Sequence, residues 1–68
     1  MVEVFKTNVE EAEEAGLLIH ILIQQFPGCK INFDLEDCDK ILRIEGNDVR
    51  TNKIIHLLKD KNYSCVLL

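Results

Sequence analysis

The chain has 68 residues, a formal net charge of −4, 47% apolar residues and three cysteines. That length allows one domain with a small core shared by every element, and no apolar run reaches the roughly 20 residues of a membrane span. The acidic balance argues against a nucleic-acid partner, because affinity for a phosphate backbone rests on Lys and Arg displacing counterions; basic proteins or cations remain open as partners.

Cys29, Cys38 and Cys65 are odd in number and share no paired spacing. They argue against a disulfide framework and for a reducing compartment, read here as the cytoplasm. No basic-headed apolar leader precedes the first helix, so the chain reads as soluble and unexported. There is no internal repeat, low-complexity tract or linker.

Met1 to Thr7, MVEVFKT, mixes β-branched and aromatic residues with charges and suits a strand, with Val2 and Val4 competing against Phe5 for the inward face. Asn8 followed by Glu11 has the form of an N-cap with a capping box, which predicts a helix from near Val9 to Phe26, stopped by Pro27 and Gly28. In KINFDL, Ile31, Phe33 and Leu35 alternate with Asn32 and Asp34, the period of a half-buried strand. EDCD is a polar turn. KILRIEG then returns as the second arm of a hairpin, with Leu42 and Ile44 on one face and Arg43 and Glu45 on the other.

Asn47 and Asp48 offer a second helix start, and VRTNKIIHLLKDK spaces Ile54, Ile55, Leu57 and Leu58 helically. Lys59 and Lys61 suit the C-terminal dipole, Asn62 suits a left-handed cap, and YSCVLL is a final strand. The order βαββαβ predicts one α+β domain over residues 1–68, a ferredoxin-like sandwich with two helices on one face of a four-stranded antiparallel sheet.

Through QQFPGCKINFDLEDCDKILRIEG and IIHLLKDKNYSCVLL the chain resembles the heavy-metal-associated domains of copper chaperones and metal-transporting ATPases. The resemblance implies the same fold, and in the family a Cys-x-x-Cys at the junction of the first strand and helix binds a soft cation. Counted back from Pro27 without gaps, those two positions fall on Ala12 and Ala15, and the Met that usually precedes the first Cys falls on Glu10. Copper(I) wants thiolate or thioether donors, which alanine and glutamate do not supply. The family's final Gly-Tyr or Gly-Phe reads Asn62-Tyr63 here.

Other site chemistries find little support. Glu10, Glu11, Glu13 and Glu14 suit the positive end of a helix dipole. Glu36, Asp37 and Asp39 join Glu10, Glu11 and Glu14 in an acidic end of the sheet, a solvated surface or a docking face for a basic partner, and no Asp-rich loop shapes it for Ca²⁺. The three cysteines are scattered by the expected topology, and Cys38 is the one placed in an exposed turn, among acidic neighbours that blunt its reactivity. His20 and His56 lie mid-helix without a nucleophile to activate. The third strand lacks the aromatics that RNA-binding sheets use.

The first helix is apolar on two sides. Ala12, Ala15, Ile19, Leu22, Ile23 and Phe26 form a stripe for the sheet, while Leu17, Leu18 and Ile21 fall on roughly the other side, either as a patch for a partner or with Leu17 and Leu18 partly buried at the edges of the sheet and second helix. We therefore expect a non-catalytic domain without a cofactor, binding a protein partner or itself through Leu17, Leu18 and Ile21. The alternatives are a copper or zinc carrier or sensor using ligands other than the family's, and a small-molecule sensor built from paired units.

Overall fold

In a computed structural model, which describes residues 1–68, the elements are β1 (Val2–Thr7), α1 (Ala12–Gln25), β2 (Lys30–Asp34), β3 (Ile41–Glu45), α2 (Thr51–Asp60) and β4 (Cys65–Leu67). The strands form one antiparallel sheet in the order β2-β3-β1-β4. This is the ferredoxin-like arrangement expected. No helix is long and apolar enough to cross a membrane.

Side chains alternate across a strand, so one register decides which residues enter the core. Phe5 stands opposite Leu42 and Leu67, which turns Phe5 and Thr7 inward and leaves Val2 exposed and Val4 half-buried on the open face. Phe5, Leu42 and Ile44 from the sheet meet Leu22 of α1 and Ile54 and Leu58 of α2, all wholly buried. Full burial of one such side chain contributes about 1.5–3 kcal/mol. A second cluster, Val9, Ala15 and Leu18, closes the end of the sheet where α1 begins.

Both helices start later than the capping residues predict. Asn8 is not a helix cap: its Oδ1 accepts the Ser64 N–H at 2.9 Å, tying the entry to α1 to the entry to β4. The helix begins at Ala12 behind Glu11, whose side chain makes no cap bond. The cause is Val9, which is fully buried and whose N–H donates to Thr7 Oγ1, so residues 8–11 stay extended to deliver it to the core. Val49 does the same before α2. It is 7% exposed, and the helix waits until Thr51 while Asp48 accepts a bond from Arg50 Nε at 3.1 Å.

The end of α2 follows the expected chemistry. Asn62 has φ +71°, Tyr63 N–H bonds Leu58 O and Asn62 N–H bonds Lys59 O, both at 2.9 Å, which closes the last turn in a Schellman motif. At the end of α1, Gly28 takes φ +93° after Pro27. Gly46 leaves room for Cys29: a Cβ there would stand 2.6 Å from its Sγ.

The faces of α1 depart from the expected division. Ala15, Leu18 and Leu22 are the buried residues of the helix, whereas Ala12 is exposed and Ile23 is 46% exposed. Leu18 therefore belongs to the core and not to an outer patch. Leu18 packs with Val9 and Ala15, and Phe33, Leu35 and Tyr63 lie against this cluster, so this side of α1 faces inward where Val9 must also be covered.

Candidate functional site

Ala12 is exposed at the start of α1 and Ala15 is packed in the core, and neither carries a metal-donor atom. Cys29 is half-buried at the start of β2, Cys38 is exposed in the hairpin turn and Cys65 is buried in β4. Burial pushes the Cys65 thiol up to about 11, which keeps it protonated. The one group of three or more ligating side chains close together is Asp37, Cys38 and Asp39, within 4.8 Å of one another. It is a solvated turn, in which Asp37 Oδ1 accepts the Asp39 N–H at 2.8 Å and Asp39 pairs with Lys6 at 3.6 Å.

The start of α1 and the hairpin turn do meet at one end of the sheet. Thr7 bridges them, its N–H donating to Asp39 O and its Oγ1 to Lys40 O. The acidic end is braced from within, because Lys40 Nζ lies 3.8 Å from Glu10 and donates to Leu35 O. Glu14 accepts the Tyr63 hydroxyl at 2.8 Å. That bond is the main cause that raises the Tyr63 pKa, followed by burial and then by the carboxylate's charge. His20 and His56 are exposed, and His20 shares a hydrogen bond with Gln24 at 3.2 Å.

The concave surface of the molecule lies between the helices. The start of α1 runs beside the end of α2, and a hollow of about 560 Å³ opens between them over Ile21, Phe26 and Leu57, rimmed by Asn52, Lys53 and His56. Through Ile21 and Lys61 it continues into a second hollow of about 220 Å³ bounded by Glu14, Leu17, Leu18 and Tyr63. Past Gln25, Phe26 and Lys53 it reaches a third, of about 410 Å³, at Pro27 and Arg50. The three hollows share lining residues along the interhelical surface, apolar at Leu17, Leu18, Ile21, Phe26 and Leu57 and mostly polar at the Pro27 end.

Leu17, Leu18 and Ile21 thus come together, but as one wall of a groove. Leu17 is 62% exposed at the lip, Ile21 is half-buried, and Leu18 lies 3% exposed below. The opposite wall, Lys53, Leu57 and Lys61, is not among the interface residues expected from the sequence, where Leu57 reads as apolar helix face and Lys61 as a dipole partner. The signal was available, since positions i, i+4 and i+8 share one side of a helix. Neither lysine has a carboxylate partner, whereas Lys6, Lys40, Arg43 and Arg50 all do. The α2 wall thus carries two unpaired lysines beside one carboxylate, Asp60, and its lysines give it a net positive charge in an acidic molecule. Comparison with protein-family models, with curated proteins and with solved structures finds no match to this chain.

Proposed function

We propose that this domain is a non-catalytic protein-interaction module, a relative of heavy-metal-associated domains that lacks their thiolate site and docks a partner over the interhelical groove. The observation that carries this reading is Leu17, 62% exposed beside half-buried Ile21 on a groove floored by Phe26 and Leu57. An elongated apolar floor with a polar rim matches the way an amphipathic helix is received by a groove. The buried, protonated Cys65 and the two exposed histidines offer no nucleophile–base pair, which favours binding over catalysis.

A photocrosslinking residue at position 17 in cells tests the reading, with position 32 on the open sheet face as control. Discrete protein adducts from position 17 alone are expected; none from position 17, or equal yields from both, overturns it. Titration with copper(I) or zinc against a chromophoric chelator is expected to show no stoichiometric binding, and sub-micromolar affinity for either would return the domain to metal carriage.

A further inference from the structure

We propose that the occupant of this surface is a second copy of the chain, docked about a two-fold axis with the two α1 helices antiparallel, so that Glu13 of each copy meets Lys53 of the other. The inference rests on docking through the groove and adds the partner and its register.

At about 100° per residue, Glu13, Leu17, Ile21 and Gln24 share one outward arc of α1. The arc is polar in its charge as well as its direction. Its first turns carry Glu13 free of any ion pair, while its last turn has no acid or base of its own and lies beside Lys53 across the groove. An axis crossing midway between Leu17 and Ile21 sets Leu17 of one copy on Ile21 of the other. The same axis brings Glu13 level with Gln25 of the second copy, and Lys53 stands next to that Gln25. One operation therefore buries the exposed leucine and pairs the free carboxylate with the free ammonium.

The alternatives are worse on charge. Parallel helices would stack Glu13 on Glu13 and align two dipoles. Two copies at −4 each repel unless opposite charges meet at the contact, and four of the eight cations are already paired within their own chain. Lys53 and Lys61 are the unpaired ones on the groove wall. The contact is isologous and closes at two copies. A 14-residue α1 is about 21 Å long at 1.5 Å per residue, a length comparable to the molecule's own extents of 27 × 20 × 17 Å.

Sedimentation equilibrium of the full chain at micromolar concentration tests this, with Glu13→Lys, Lys53→Glu, the double variant, and Val66→Glu on the open sheet face. Each single reversal is expected to raise the dimer dissociation constant about five-fold, more at low salt, and the double variant to recover most of the loss. Recovery is the diagnostic, because Glu13→Lys by itself also disturbs the start of the helix. Val66→Glu is expected to leave the dimer intact. A dimer that ignores both reversals, or that Val66→Glu dissociates, overturns the inference. A monomer at every concentration that still gives position-17 adducts to another protein overturns it too, while leaving the docking reading standing.

Discussion

The Tyr63 hydroxyl donates to Glu14 Oε2 at 2.8 Å and so joins the end of α2 to the first turns of α1 across 49 positions of sequence. The bond favours the neutral phenol, raising its pKa above the ordinary 10.0. Stability from this source is therefore complete below pH 10.0 and is lost as pH rises through the raised folded-state value. Tyr63 is the only tyrosine and there is no tryptophan, so phenolate absorbance reads it directly. Glu14→Gln is expected to move the titration back toward 10.0.

Leu17 and Leu18 are adjacent in sequence and opposite in environment. Leu18→Ala is expected to cost about 2–5 kcal/mol in urea unfolding, and Leu17→Ala to stay within about 0.5 kcal/mol. In a domain this small the first change removes a large share of the total stability. Equal losses would contradict the position of α1 described above.

Asn62 holds the left-handed position of the Schellman motif. Glycine there is expected to be at least as stable as asparagine, and Asn62→Ala to fall about 1 kcal/mol below it, because an L residue with an ordinary Cβ strains in that conformation. Thermal unfolding of the two variants decides the order.

The thiols should modify in the order of their exposure. Cys38 is expected to react first with a maleimide, Cys29 more slowly, and Cys65 only on unfolding, because burial both hides it and pushes its pKa up to about 11 from 9.0. The neutral thiol's contribution to stability is whole below pH 9.0 and is lost through about 11. Time-resolved mass spectrometry after proteolysis assigns each site.

Much of this fold is written locally. The alternation in KINFDL and KILRIEG, the Pro27-Gly28 stop and the Asn62 cap each act over a few residues, and each appears where the sequence places it. The helix starts do not, because Asn8 and Asn47-Asp48 look like caps to any local rule while Val9 and Val49 are claimed by a core assembled from distant strands. Likewise Leu17, Leu18 and Ile21 are visibly apolar in sequence, but the angle at which α1 settles on the sheet decides that Leu18 is core.

By itself the sequence determined the order and type of the elements, through hydrophobic period and turn chemistry. Tertiary structure alone decided the groove, since its basic wall on α2 and its apolar wall on α1 lie some 40 residues apart in the chain and meet only because the sheet sets both helices on one face.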